Sequence, residues 1–241
     1  MGKTSIYEQL NRTKPGVLAL VDPDRTPIDK IGEIIPFVTK EGVQGILIGT
    51  SLLVSPSFDG FVHKVKHNTD RPTIIFPGCS QQICCHADAI FFLSLLSGRN
   101  SEYLIGEQVK AVYLIKEHKL EVIPVGYILI ESGNYTAVEY ISGTKPIPRN
   151  KPEIAIAHAL AGQYFGMKFI YLEAGSGAAH HVPLDMVREV KKNIEIPLIV
   201  GGGIVSKDSA RAILESGADF IVLGSIIERS PELFTDIMRS I

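Results

Sequence analysis

The chain has 241 residues, 45% of them hydrophobic and 21% charged, which is enough apolar material for a large core and not the composition of a disordered chain. That length suits one (β/α)₈ barrel, an architecture that needs about 250 residues. Its 24 Lys and Arg stand against 26 Asp and Glu, a net charge of −2, so the basic surplus with which a nucleic-acid binder covers phosphates is missing.

Residues 1–15 are read as an N-terminal extension packing on a single domain that spans 1–241. The opening Met1–Leu10 lacks the apolar core of a signal peptide, and no apolar run approaches the roughly 18 residues that span a bilayer. A cytoplasmic protein without stable membrane insertion is expected.

Eight short apolar runs follow in order: Val17–Val21, Gly45–Ile48, Thr73–Phe76, Ala89–Leu93, Val122–Ile130, Lys168–Leu172, Pro197–Val200 and Asp219–Leu223. Between them Pro27–Lys40, Ser101–His118, Glu153–Phe165, Leu184–Lys192 and Lys207–Glu215 carry helical periodicity. Gly42, Gly166 and Gly217 each close a helical stretch shortly before a strand, where a C′ position prefers glycine. Gly42–Gly49 and Gly217–Gly224 echo one another with both glycines at the same spacing, as repeated βα units do. No GxGxxG follows the first strand, so a closed TIM barrel is expected rather than an open doubly wound sheet. Cys79, Cys84 and Cys85 form no paired CxxC spacing. They read as free thiols, with Cys79–Ala87 a short helix.

In such a barrel the chemistry sits at the C-terminal ends of the strands. After the first strand comes Asp22-Pro23-Asp24-Arg25. A strand-end carboxylate suits Mg²⁺, which takes one or two carboxylates and fills its octahedron with water and phosphate oxygens; both aspartates also read as turn residues, Asp24 as a cap for the helix near Pro27. Gly49-Thr50-Ser51 after the second strand offers a hydroxyl that either joins a hard cation or caps a helix. Tyr171-Leu172-Glu173-Ala174-Gly175-Ser176-Gly177 after the sixth strand leaves backbone N–H groups open to an anion, or forms a flexible turn. Gly201-Gly202-Gly203-Ile204 and Gly224-Ser225 end strands seven and eight, where barrels build phosphate sites.

These four segments, in this order, resemble those of geranylgeranylglyceryl phosphate synthases, prenyltransferases of TIM-barrel fold that begin archaeal-type ether lipids and also occur in some bacteria. The resemblance runs from about Val17 to the last helix. It implies Asp22 as the Mg²⁺ carboxylate and Ser51 as the second metal position. It implies that Tyr171, Leu172, Glu173, Ala174, Gly175, Ser176, Gly177, Gly202, Gly203, Gly224 and Ser225 hold sn-glycerol 1-phosphate. Leu20 replaces the lysine that one branch has two residues before the metal aspartate, and Ser225 an asparagine, which places the chain nearer the second group, often oligomeric (a dimer or hexamer).

The implied reaction is Mg²⁺-dependent transfer of a geranylgeranyl group from its diphosphate to the 3-hydroxyl of sn-glycerol 1-phosphate, the first step of ether phospholipid biosynthesis. Asp22 and Glu173 are its catalytic candidates; Glu173 takes the hydroxyl proton or positions the glycerol. Ala89–Leu96, Val125–Ile130 and Tyr135 are candidates for the tail channel, Lys145 and Arg149 for the donor's diphosphate. His180-His181 has no partner at ligand spacing. Three other readings fit parts of the pattern: the same reaction with a longer donor, as in heptaprenylglyceryl phosphate synthases; a metal-independent phosphosugar isomerase or lyase; and a non-catalytic prenyl-lipid binder.

Overall fold

The computed structural model describes residues 4–241. Eight parallel strands close into the expected (β/α)₈ barrel in chain order: β1 (Gly16–Val21), β2 (Gly45–Ile48), β3 (Thr73–Ile75), β4 (Ala89–Leu95), β5 (Glu121–Leu129), β6 (Phe169–Glu173), β7 (Leu198–Gly201) and β8 (Phe220–Leu223). Val17 of β1 faces Ile221 of β8, and this last pairing leaves the sheet no edge. The helices are α1 (Ile6–Arg12), α2 (Ile31–Lys40), α3 (Phe58–His67), α4 (Glu107–His118), α5 (Ala137–Ser142), α6 (Pro152–Tyr164), α7 (Leu184–Asn193), α8 (Lys207–Glu215), α9 (Ser225–Arg229) and α10 (Pro231–Met238).

Apart from the start of β5, where Val122 is exposed, the strands are largely buried on both faces, which is why they read as apolar runs. On β1, Leu18 points into the barrel, while Val17, Ala19 and Val21 join the outer core under the helices. The interior is filled by large side chains, including Phe91, Phe169, Tyr171 and Phe220. Burying each contributes on the order of 2–3 kcal/mol before entropy. Gly42, Gly166 and Gly217 take φ of 96°, 85° and 107° at the ends of their helices, a backbone that favours glycine.

Helix α1 closes the N-terminal end of the barrel. Ile6 and Leu10 enter the interior core, and the Tyr7 ring meets Phe169 edge-on at 5.5 Å. The Glu121 carboxylate accepts from the Ile6 and Tyr7 N–H groups at 2.6 and 2.8 Å, satisfying donors that a helix start leaves open. Residues 1–3 of the expected extension lie outside the described residues.

The chain departs from the expected pattern after β3, where Cys79–Ala87 is not a helix. This segment carries the fully buried Gln82 inward to the barrel mouth, a course that a helix lying outside the sheet does not take. Cys79 is half-buried, Cys84 buried and Cys85 exposed, all three free. Burial pushes the Cys84 thiol up to about 12. The long stretch after β5 contains α5, capped by the Thr136 hydroxyl, and returns through a parallel bridge between Ile130 and Ile147. Among the described residues, no helix is long and apolar enough to cross a membrane.

Candidate active site

Strand register places the two carboxylates. Alternate side chains share one face of a strand, so the inward series Leu18, Leu20 continues to Asp22, and the series Phe169, Tyr171 continues to Glu173. Both acids line a cavity of about 330 Å³ at the C-terminal ends of the strands. Its mouth is polar, with Arg25, Thr50, Ser51 and the glycine loops. Its apolar arm passes Phe76, Ile83, Ile90 and Phe92 to reach Ala111 and Ile115 of α4, on the side where β3 has no following helix.

Glu173 is 6% exposed, and its Oε1 accepts from the Gly175 N–H at 2.5 Å. Burial raises its pKa above the ordinary glutamate value, opposed by that N–H and by the neighbouring Tyr171 and Tyr127 hydroxyls. Burial first, and then the Glu173 charge, push both phenols well above their usual range, so they remain protonated donors. The buried Tyr171 hydroxyl has no hydrogen-bond partner of good geometry.

The glycines around Glu173 are set by close approach. A Cβ on Gly201, which pairs with Glu173 in the β6–β7 register, would lie 2.1 Å from the Tyr171 hydroxyl oxygen. A Cβ on Gly202 would lie 2.5 Å from the Glu173 Oε1, and Gly202 has a φ of 81°. Only a residue without a side chain fits either position.

Asp22 accepts from the Asp24 N–H at 2.9 Å, and its Oδ2 lies 3.5 Å from the Arg25 Nε. Burial raises its pKa, countered by the Asp24 N–H, the Arg25 charge and the Thr50 hydroxyl beside it. Arg25 also donates from Nη1 to the Ser176 hydroxyl at 2.9 Å, linking loops on opposite sides of the mouth. Gln82 holds Thr50: its Oε1 accepts from the Thr50 N–H at 3.1 Å, and its Nε2 donates to the Thr50 carbonyl at 2.8 Å.

Of the residues singled out in the sequence, Asp22, Ser51, Tyr171, Glu173, Gly175, Ser176, Gly177, Gly202, Gly203, Gly224 and Ser225 line this one cavity. Leu172 and Ala174 do not: alternation turns their side chains into the outer core, and the Ala174 N–H is taken by the Gly201 carbonyl at 2.9 Å. Asp24 caps no helix; its carboxylate accepts from the Val54 and Ser55 N–H groups at 3.0 and 2.6 Å, tying the β1 and β2 loops together. Arg149 donates to the Glu131 and His181 carbonyls at 3.1 and 2.9 Å, and neither it nor Lys145 reaches the cavity. Of the tail candidates, part of β4 and Tyr127 line the cavity, whereas Tyr135 is 82% exposed. Sequence reasoning missed the roles of Arg25, which stands in the quoted Asp22–Arg25 segment, and of Gln82, which sits between Gln81 and Ile83 with nothing in its local sequence to set it apart.

Among the described residues, no group of three or more His, Cys, Asp and Glu side chains converges to hold a metal ion. The donors at Asp22, Thr50 and Ser51 are all oxygens, one of them a carboxylate. That set fits a hard divalent cation whose remaining ligands are water and a bound phosphate, and it does not fit a softer ion needing nitrogen or sulfur.

Fold and site together define a (β/α)₈ barrel with a glycine-lined, carboxylate-bearing mouth that opens into an apolar arm. Residues 8–241 match the model of the PcrB family. A geranylgeranylglyceryl phosphate synthase of Flavobacterium johnsoniae is 42% identical over 235 residues, covering 96% of this chain and 97% of that protein. One from Pyrococcus horikoshii is 43% identical over 229 residues, covering 95% and 89%. The crystal structure of (S)-3-O-geranylgeranylglyceryl phosphate synthase from Thermoplasma acidophilum, in complex with substrate sn-glycerol-1-phosphate, superposes with a TM-score of 0.94 at 37% identity, covering 99% of both chains. The chain belongs to the PcrB family, and the resemblance read from its motifs is borne out.

Proposed function

We propose that this protein is a prenyltransferase that joins geranylgeranyl diphosphate to the 3-hydroxyl of sn-glycerol 1-phosphate, releasing diphosphate, with Mg²⁺ as cofactor. The observation that carries this reading is the position of Glu173, a buried carboxylate where the polar mouth meets the apolar arm. The named relatives support the same reaction.

The glycine loops after β6, β7 and β8 hold the glycerol phosphate, and the apolar arm takes the prenyl tail. The acceptor's hydroxyl oxygen forms a bond to the allylic carbon as the bond from that carbon to the diphosphate oxygen breaks. Glu173 takes the hydroxyl proton, and its raised pKa makes it a better base than an exposed carboxylate. Tyr127 and Tyr171, kept protonated, stand beside the Glu173 carboxylate and favour its charged form. Asp22 and Ser51, with Thr50 beside them, hold Mg²⁺, which when bound neutralises the diphosphate and makes it a better leaving group.

Ile105, Val109, Val112 and Tyr113 expose an apolar face on α4 and the π turn before it, Tyr113 by 83%. Such a face supports a homo-oligomer. The three free thiols support a reducing, cytoplasmic location.

The decisive experiment incubates labelled sn-glycerol 1-phosphate with geranylgeranyl diphosphate, with and without Mg²⁺, and extracts with butanol. Label is expected in butanol only when Mg²⁺ is present, and Asp22→Asn is expected to abolish the transfer. Label that stays in water with Mg²⁺ present refutes the reaction, and full activity of Asp22→Asn refutes the metal assignment. A panel of longer donors tests the heptaprenyl alternative by product size.

A further inference from the structure

Both substrates of the proposed reaction are anions that must meet, yet among the described residues only two cationic side chains line the cavity, Arg25 and Arg229. Arg25 is the one placed between the two ends of the mouth. Its backbone N–H and that of Thr26 donate to the Asp22 carbonyl at 3.1 and 2.8 Å, forming a turn that sends the arginine side chain back over the cavity. The turn is anchored on both sides: Asp24 is pinned to the Val54 and Ser55 N–H groups, and the buried Thr26 hydroxyl donates to Glu228 of α9. On this fixed base the guanidinium divides its donors, Nη1 reaching the Ser176 hydroxyl at 2.9 Å and Nε lying 3.5 Å from the Asp22 carboxylate.

We propose that Arg25 is an acceptor-binding residue that Asp22 restrains: the guanidinium binds the phosphate of sn-glycerol 1-phosphate from the Ser176 side, and the Asp22 carboxylate competes for the same charge. The inference rests on the acceptor assigned above. A guanidinium matches a phosphate with a planar fork of donors, a stronger partner than one neutral hydroxyl. The Asp22 contact is long and part-exposed, and such pairs are weak, so a phosphate can displace it. By reciprocity, whatever neutralises Asp22 strengthens acceptor binding, and acceptor binding releases Asp22 for a cation.

The test is calorimetric titration of sn-glycerol 1-phosphate into the protein with neither prenyl donor nor Mg²⁺ present. Arg25→Ala is expected to weaken binding by about tenfold or more, the usual cost of losing hydrogen bonds to a charged group. Asp22→Asn, which stops turnover, is expected to bind the acceptor about two- to fivefold more tightly, the scale of an exposed ion pair. The double variant is expected to bind as weakly as Arg25→Ala. Arg25→Lys, which keeps the charge but loses the fork, is expected to fall between the parent and Arg25→Ala and covers the case in which Arg25→Ala fails to fold. Parent-like binding by Arg25→Ala and Arg25→Lys, or weaker binding by Asp22→Asn, overturns the proposal while leaving the acceptor intact. If the parent itself does not bind sn-glycerol 1-phosphate, the acceptor assignment falls, and this proposal with it.

Discussion

Gln82, fully buried in the segment that replaces a helix after β3, closes both polar ends of Thr50, accepting from its N–H and donating to its carbonyl. In this way a side chain supplies the pairing that a neighbouring strand would give, just where β2 ends and the Thr50 hydroxyl turns to Asp22. Gln82→Leu keeps the volume but strands the Thr50 peptide. We expect a loss of about 1–2 kcal/mol in stability, from two part-buried groups left without partners, read as a lower denaturation midpoint. Transfer activity is expected to fall through a raised KM for the prenyl donor, with the KM for glycerol phosphate little changed. An unchanged midpoint removes Gln82 from this role.

Glu173 sets activity against stability. Unfolded, its carboxyl titrates at the ordinary value; folded, burial raises that value. Below the ordinary value both states are protonated, and the buried acid costs little. As pH rises through the folded value, the ionised form must be desolvated and stability is lost. Glu173→Gln is therefore expected to melt above the parent at neutral pH and to match it in acid. Its kcat is expected to fall by about 10²–10⁴-fold, the worth of a general base, with the KM for the donor little changed. The parent's activity is expected to fall on the acid side at a pH above the ordinary glutamate value. Melting curves and a pH–rate profile check both; full activity in the Gln variant removes the base.

Most of the barrel was legible because its signals are local: apolar runs for strands, helical stripes, and glycines such as Gly42 and Gly217 at the junctions. Asp22 and Glu173 were legible for the same reason, since a polar residue ending an apolar run stands at the mouth. The segment Cys79–Ala87 was not. Its course is fixed by the contact of Gln82 with Thr50, 32 residues away in sequence, and no local pattern encodes such a partner. The family resemblance brings in Leu172 and Ala174 as part of the whole segment Tyr171–Gly177, although strand alternation turns both side chains into the outer core. The apolar arm was half-legible: β4 was named, but the opposing wall of Ala111 and Ile115 looks in sequence like any buried helix stripe.

Gly201 is expected to be intolerant of even one methyl group. The added Cβ would meet the Tyr171 hydroxyl oxygen at 2.1 Å and the ring carbon bearing it at 2.9 Å, and the ring, stacked on Phe76 at 5.4 Å, has nowhere to move. Gly201→Ala is expected to cost about 1–3 kcal/mol, as overpacking does, and to lower kcat by displacing Tyr171 from Glu173. Adding Tyr171→Phe removes the nearest clashing atom and is expected to recover part of the stability without restoring kcat. Denaturation midpoints of the single and double variants read the coupling, and strictly additive effects would show that the two residues do not press on one another.

Ala111 is the small residue on the α4 wall of the apolar arm, 6% exposed and facing the cavity. The lining narrows wherever a larger side chain is placed there, and an aromatic ring at this point intrudes on a tail that reaches α4. Ala111→Phe is expected to lower kcat/KM for geranylgeranyl diphosphate by about tenfold or more, the scale of a lost prenyl-unit contact at roughly 25 cal/mol per Å². A donor short enough to stop before Ala111 is expected to be used as well as by the parent. Acceptor binding, proposed above for the glycine loops at the far end of the mouth, is expected not to change. The comparison of short and long donors distinguishes a blocked arm from a damaged fold, because damage lowers both. Equal loss with every donor length would mean that the tail leaves the barrel by another path.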